Sequence, residues 1–423
     1  MRKSTMYRGQ GLFGSIGMTQ DIEILQLRRM RYLLLASVLA IGSIGYAVTL
    51  VESEHFDETH HRIQIEKFMA GEWELSAKLA MFPTFHVLMA GICKVVGIQT
   101  VAGFQLISLL LGLPAVFIFF ELVRHLPPKM RLIRSIQFMT IPVMFPFIFH
   151  VYTDWLSMAV VLGCLLFADR RCYQWAGLFA IAAIALRQNN ILWAAMIAAM
   201  IYVREFGWRF NVASLRWVAV NLWLFALGAL LLGVFIVLNG GVALAEKEFN
   251  PPFQLHTANI LGCLFAIGLL LLPLHVANLP AMIRAASRHP LPILAILSAG
   301  FAILFFTFAD DYPLNWMFPD KVVNRVIISA GRSSIWATFF VLAGLLVLAS
   351  LSVTALRERS DYLIYPFMLL TVGMSWMVMS RYYMLPVALI LALRRQGGWT
   401  TEILILLIFF ALCAMHLSFD FEM

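Results

Sequence analysis

Long apolar stretches, separated by short polar segments, run through almost the whole chain of 423 residues. A membrane-spanning helix needs about 20 predominantly apolar residues, and fewer where neighbouring helices shield its ends. The pattern therefore predicts an all-α polytopic membrane protein of about 11–13 transmembrane helices, forming one transmembrane domain over residues 1–423. The candidate spans are 32–51, 101–121, 134–151, 155–169, 173–187, 190–203, 217–238, 259–282, 290–308, 334–355, 363–379, 382–394 and 400–418.

The stretch 80–97 is also apolar, but it contains Pro83, His86 and Lys94, and we expect it to lie as a helix in the membrane interface. Counting it as a span would invert the side of every later loop. With 80–97 left out, every loop on the side of the N-terminus is basic, as the positive-inside rule requires of the cytoplasmic side. These loops are 122–133, 169–173, 204–216, 283–289, 356–362 and 394–399.

Composition agrees with this layout. Hydrophobic residues make up 61% of the chain and charged residues 13%, about half the charged share of soluble domains. The net charge of +8 is explained by the basic loops, so we expect no nucleic-acid partner. The five cysteines show neither metal-ligand nor disulfide spacing. The first apolar stretch is too long for the core of a signal peptide, which predicts a retained membrane anchor.

The polar segments on the opposite side are the unusual ones, and they predict a site at that end of the helices. Two of them, 239–258 and 309–333, are too long for simple connections between helices. The other segments are the loop 52–80, Tyr152-Thr153-Asp154, Arg187-Gln188-Asn189-Asn190 and Ser380-Arg381-Tyr382-Tyr383.

The loop after the first span is rich in carboxylates, and residues 57–69 have helical character. Asp57 and His61 would then share one face at a spacing of four residues. A carboxylate there is a candidate general base for a hydroxyl acceptor. It is equally a candidate metal ligand together with His60 or His61. The alternative is a solvated acidic loop without chemistry.

The four polar residues from Arg187 to Asn190 join two short apolar helices, where polar groups near hydrocarbon are costly and therefore functional candidates. Arg187 suits a phosphate through its charge and bidentate fork. The alternative is a polar turn at headgroup level. Tyrosines at the other two motifs are also common interfacial anchors. Asp310 and Asp311 are candidate ligands for a divalent ion, although pairing with nearby basic residues is the favoured interpretation. The loop 239–258 offers Glu246, Lys247 and His256 with little specificity.

These features are compatible with a lipid-dependent transferase and with a transporter or flippase. A transporter would be expected to carry titratable residues inside its spans, and these are scarce here, which favours the enzyme. A structural scaffold without activity fits the polar segment 187–190 poorly.

Five motifs, in order along the chain, resemble the family of dolichyl-phosphate-glucose-dependent α-1,2-glucosyltransferases. Residues 56–61 resemble the family's M-D-E-I-F-H, and residues 151–154 its Y-Y-T-D. Residues 186–191 resemble F-R-Q-T-N-I, with Asn189 in place of threonine. Residues 239–247 resemble N-G-G-I-V-V-G-D-K, and residues 381–386 resemble R-Y-Y followed by two hydrophobic residues and proline. The family's A-D-N-R-H-Y is replaced by Ala309-Asp310-Asp311-Tyr312-Pro313-Leu314.

The resemblance implies a GT-C glycosyltransferase bundle whose first outer loop, here 52–98, carries the catalytic carboxylates and interfacial helices. It also implies a polyprenyl-phosphate sugar donor, a lipid-linked or cell-envelope glycan acceptor, transfer of a hexose (glucose by resemblance) and inversion at the anomeric carbon. No cofactor is firmly implied, and a divalent metal is left open. We expect a multi-pass protein of a bacterial inner membrane with its site facing the periplasm, or of the endoplasmic reticulum facing the lumen if eukaryotic.

Site residues follow from the same resemblance, position by position. Asp57 is the expected base, with Glu58 as second candidate. Arg187 and Arg381 are the candidates for binding the donor phosphate. The candidates for contacts to sugar or acceptor are His61, Tyr152, Asp154, Gln188, Asn190 and Tyr382.

Overall fold

The computed structural model describes residues 11–50, 56–245, 247, 254–309 and 322–419, and most of these residues lie in helices. Within these ranges no β-strand forms, and Leu356 and Arg394 make an isolated antiparallel bridge. The helices are α1 Gly11–Thr49, α2 Phe56–Ala70, α3 Thr84–Val96, α4 Val101–Gly112, α5 Pro114–Leu122, α6 Pro128–Met139, α7 Phe145–Phe149, α8 Thr153–Asp169, α9 Tyr173–Leu186, α10 Asn190–Phe206, α11 Val212–Asn221, α12 Trp223–Asn239, α13 Thr257–Leu270, α14 Leu272–Arg288, α15 Pro290–Phe306, α16 Val322–Arg332, α17 Ser334–Val353, α18 Ile364–Gly373, α19 Met384–Leu393 and α20 Trp399–Phe419.

The all-α polytopic class predicted from the sequence is confirmed. Among the described residues, 4 helical stretches are long and apolar enough to cross a membrane, or up to 6 if two bent pairs each count as one span. The larger number of spans, which relied on shorter apolar helices, stays a prediction. The qualifying stretches are Leu25–Thr49, Val101–Leu122, Ser334–Val353 and Trp399–Leu417, and the bent pairs are α11 with α12 and α13 with α14.

Three of the predicted spans are interrupted in the structure and are not formed by one continuous helix. The span 217–238 bends by 74° at Leu222, where the Asn221 side chain donates to the carbonyl of Trp217 and competes with the helical backbone. The span 259–282 bends by 94° because Pro273, in the first turn of α14, cannot continue α13. The span 134–151 is divided between α6 and α7 around Pro142.

The loop 52–98, which is predicted to lie on the outer side, contains the two helices expected there. Helix α2 confirms the helical character predicted for 57–69. Helix α3 buries Phe85, Met89 and Cys93 on one face, against Ile65 and Phe68 of α2. Its opposite face is exposed, so α3 has the one-sided burial of a surface helix. Its position in the membrane interface stays a prediction.

Loops predicted to lie on the basic side meet in a charge network. Arg204 donates to Asp169 at 2.6 Å and to Asp361 at 2.7 Å. Arg357 donates to the same two carboxylates, at 2.7 and 3.1 Å. The loops 169–173, 204–216 and 356–362 therefore lie at one end of the helices, as their basic character predicted. The compartment they face stays a prediction.

Candidate active site

A polar cleft lies where α8 begins, between the connection of α9 to α10 and the segment that follows α18. Its volume is about 460 Å³, including space open to solvent. Polar side chains from three distant parts of the chain line it: Asp154, Ser157, Arg187, Ser375, Arg381 and Tyr382. Three of the six segments predicted to form a site, namely 152–154, 187–190 and 380–383, are therefore brought together at this cleft.

Asp57 joins this cleft through Arg381. Arg381 Nη1 lies 2.7 Å from Asp57 Oδ2, although the two residues are 324 positions apart. The Arg381 guanidinium lies 5.9 Å from the ring centre of Tyr152 and 5.6 Å from that of Tyr382, within the range of cation–π attraction. The Asp57 side chain is 33% exposed, so a substrate can reach its carboxylate.

A second ion pair faces the same cleft, between Arg187 and Asp154. Both side chains are largely buried. Burial, and to a smaller extent the positive charge of Arg381, lower the pKa of Arg187 to about 10. The Arg187 and Arg381 guanidinium groups therefore share one cleft, and each is paired with a carboxylate.

Glu58 is fully buried, in contrast to its neighbour Asp57. It accepts hydrogen bonds from His150 Nδ1 at 2.8 Å, from the Val151 amide at 2.8 Å and from Gln105 Nε2 at 3.0 Å. Burial alone raises the pKa of Glu58, but the hydrogen bonds and the charge of His150 outweigh it and leave that pKa below its usual value. This enclosure favours Asp57 over Glu58 as a base that must reach a substrate hydroxyl.

Asp57 and His61, which their spacing places on one face of α2, each have a different partner. His61 Nδ1 and His86 Nε2 share a hydrogen bond of 2.8 Å in the interior of the outer loop. The His61 ring also packs edge-on against Tyr152. Burial lowers the pKa of His61 well below its usual value and that of His86 to about 4, so both rings are neutral at pH 7. The residues that the structure describes include no group of three or more His, Cys, Asp or Glu arranged to hold a metal.

Gln188 and Asn190 make contacts within the fold. Gln188 Nε2 donates to the Ala80 carbonyl at 3.4 Å, and the Leu244 amide donates to the same oxygen at 2.9 Å. Asn190 Nδ2 donates to Ser157 Oγ and to the Ala183 carbonyl, both at 2.8 Å. The Ala80 carbonyl thus links its own segment to those of Gln188 and Leu244. Asn190 fixes the connection that carries Arg187 against α8 and α9.

Asn259 is a site-supporting residue that the sequence analysis missed. It is fully buried in α13, and its Nδ2 donates to the carbonyls of Ser375 and Met377. Its Oδ1 accepts from the Tyr383 hydroxyl at 2.7 Å. These bonds hold the irregular segment between α18 and Arg381 beside the cleft. The available signal was an asparagine inside an apolar run, because such a residue in a span is costly unless it has partners.

Some sequence candidates lie outside the described residues and are not placed. These are Glu246, Asp310 and Asp311.

The helices and the cleft together define a polytopic membrane protein with a polar site at one end of its helices. The pair of Arg187 with Asp154 lines this site, together with Arg381, the partner of Asp57. Residues 51–214 match the DIE2/ALG10 family, which confirms for this part of the chain the resemblance found in its motifs. The match covers Asp57, Asp154 and Arg187, whereas Arg381 lies beyond it.

A protein of Debaryomyces hansenii described as Dol-P-Glc:Glc(2)Man(9)GlcNAc(2)-PP-Dol alpha-1,2-glucosyltransferase is 23% identical to this chain over 201 residues. The aligned region is 44% of this chain and 39% of the yeast protein, so the chain spans well under half the length of that relative. No solved structure matches the chain.

Proposed function

We propose that the protein is a membrane glycosyltransferase that moves a hexose, glucose by family likeness, from a polyprenyl-phosphate donor to a lipid-linked or cell-envelope glycan. The observation that carries the proposal is the accessible Asp57 carboxylate, held 2.7 Å from Arg381 at the cleft that also contains Arg187. A base beside two cations is what transfer from a phosphate leaving group needs. The name of the yeast relative supports the same substrate class.

In the proposed reaction, Asp57 takes the proton of the acceptor hydroxyl as its oxygen attacks the anomeric carbon. The bond from that carbon to the donor phosphate breaks, and the polyprenyl phosphate leaves with the electron pair. Attack opposite to the leaving group inverts the anomeric centre. A general base contributes about 10²–10⁴-fold. The phosphate is a good leaving group once Arg187 and Arg381 compensate its charge, so no general acid is required.

The pairing of Asp57 with Arg381 implies that the donor binds before Asp57 acts as a base. A donor phosphate competes with Asp57 for the Arg381 guanidinium, because both are anions that bind the same group. Donor binding therefore frees the Asp57 carboxylate to accept a proton. In this proposal Tyr152, Asp154 and Tyr382 line the sugar subsite, while His61, Gln188 and Asn190 support it through their hydrogen bonds.

The membrane side follows from the charge of the loops. The cleft lies among the segments assigned to the side opposite the basic loops, so we place the reaction on the non-cytoplasmic side. In a bacterium this is the periplasm, with an undecaprenyl carrier. In a eukaryote it is the lumen of the endoplasmic reticulum, with a dolichyl carrier.

The test uses the purified full chain in lipid nanodiscs, incubated with a panel of polyprenyl-phosphate hexoses and glycan acceptors, with and without EDTA. Asp57→Asn should lower the release of polyprenyl phosphate by at least about 100-fold, since it removes the base. Glu66→Gln is the matched control. Glu66 lies on the same helix as Asp57, and its exposed carboxylate pairs with Arg62.

Near-normal activity of Asp57→Asn would overturn the assignment of the base. Absence of release by the wild-type protein with every donor would overturn the transferase itself. Loss of activity in EDTA, restored by a divalent ion, would add a metal to the mechanism.

A further inference from the structure

The buried Glu58 carboxylate links two segments that both reach Arg381. Glu58 is in the first turn of α2, directly after Asp57. Its Oε1 accepts from the amide of Val151, directly before Tyr152, at 2.8 Å. One hydrogen bond therefore joins the neighbour of the proposed base to the neighbour of the tyrosine that flanks Arg381.

The other two bonds fix this junction against the helices. Gln105 Nε2, from α4, donates to Oε1 at 3.0 Å, and His150 Nδ1 donates to Oε2 at 2.8 Å. Both Glu58 oxygens are thus occupied, and the side chain has no exposed surface. The ionised Glu58 carboxylate accepts three hydrogen bonds, and hydrogen bonds to a charged group are stronger than those between neutral groups. These bonds therefore hold the carboxylate firmly in place.

We propose that Glu58 is a positioning residue for the proposed base. It locks the first turn of α2 to the segment between α7 and α8, and thereby sets where the Asp57 carboxylate lies relative to Arg381 and Tyr152. The inference rests on the proposed function. In this role Glu58 is not a second base. A general base must come within about 2.6–3.2 Å of the acceptor hydroxyl, and the enclosed Glu58 carboxylate is out of its reach.

Three substitutions at this position separate the roles. Glu58→Gln keeps an oxygen that accepts from Val151 and Gln105, and its amide nitrogen can donate to His150 in the other tautomer. Glu58→Ala removes all three bonds. Glu58→Asp keeps the charge but is one methylene too short to make all three bonds with α2 in place. Glu66→Gln again serves as the control for a carboxylate lost from α2.

We expect Glu58→Ala to lower kcat by about 100-fold, because a displacement of about 1 Å of a catalytic group has that effect. The KM for the donor should stay within about threefold of wild type, since the arginines that bind the phosphate are retained. Glu58→Gln should restore most of the lost kcat, and Glu58→Asp should lie between them. A residue needed only for folding would lower the yield of folded protein and leave the kcat of that protein unchanged.

If Glu58→Gln is as inactive as Asp57→Asn while Glu66→Gln is active, the reaction needs the charge of Glu58. This result would overturn the positioning role but not the proposed function. A normal kcat for folded Glu58→Ala would also overturn it. If Glu58→Ala does not fold, the kcat of Glu58→Asp decides, and a value equal to that of wild type contradicts the positioning role. Failure of the wild-type protein with every donor would instead contradict the proposed function.

Discussion

Removal of one buried charge near the basic end tests how the helices are held together. Glu402, in the first turn of α20, lies between Arg134 of α6 and Arg394, and all three side chains are fully buried. Its oxygens lie 2.6 Å from the Nη2 atoms of both arginines. Glu402→Gln keeps the size of the side chain and removes the negative charge that two guanidinium groups share.

The cost follows from what remains after the substitution. Removing one partner of a buried ion pair destabilises by about 3–5 kcal/mol, because it leaves an uncompensated buried charge. Here two cations lose the same anion and then repel each other. Arg134 still donates to the carbonyls of Leu391, Arg394 and Arg395, which limits the loss. We therefore expect Glu402→Gln to lower the free energy of unfolding by about 3–5 kcal/mol.

Glu358→Gln is the matched control, because Glu358 pairs with Arg204 at 2.8 Å but is 55% exposed. An exposed pair contributes about 0–1 kcal/mol. The assay is the free energy of unfolding from sodium dodecyl sulfate titrations in mixed micelles, followed by circular dichroism. If the two variants lose equal stability, burial of the charge is not what makes Glu402 important, and the reasoning is refuted.

Two further predictions concern packing and pH. Gly112→Ala should lower the free energy of unfolding by about 1–3 kcal/mol in the same assay, because the added Cβ would overlap the Trp155 ring. Gly233→Ala is the control and should be neutral or stabilising, because the space around Gly233 is open. The pKa of buried His86 falls from 6.5 to about 4, so its stabilising effect is complete above pH 6.5 and is lost as the pH falls towards 4. The unfolding free energy should drop by about 2 kcal/mol more in the wild type than in His86→Gln between about pH 7.5 and pH 5, and equal drops would contradict the assignment to His86.

The helical character of the chain was predictable from hydropathy, but the paths of the helices were not. Apolar runs identify segments that avoid water, and they carry no information on direction within the membrane. The bend of 94° between α13 and α14 had a visible cause in Pro273, which the length of the apolar run concealed. The bend before α12 depends on where the Asn221 amide points, which only the folded chain determines.

In the site as well, the residues were predictable from the sequence but their partners were not. Motif residues such as Asp57, Asp154, Arg187 and Arg381 were identified from the sequence, and the structure brings them to one end of the helices. Their pairing was not predictable, because helical spacing relates Asp57 only to nearby residues of α2 and the observed partner is 324 positions away. Glu58 resembled its acidic neighbours in sequence, and only tertiary burial distinguishes it.

The cleft is not contained in the part of the chain that matches the family. Both members of the pair of Asp154 with Arg187 lie within residues 51–214. Of the other pair, only Asp57 lies within this range, and its partner Arg381 lies outside it. The segment that carries Arg381 is in turn held by Asn259, also outside the match. A fragment limited to residues 51–214 would therefore expose Asp57 without its cation and lack one of the two arginines of the cleft. Substitutions in the second half of the chain can alter the site while the family match remains intact.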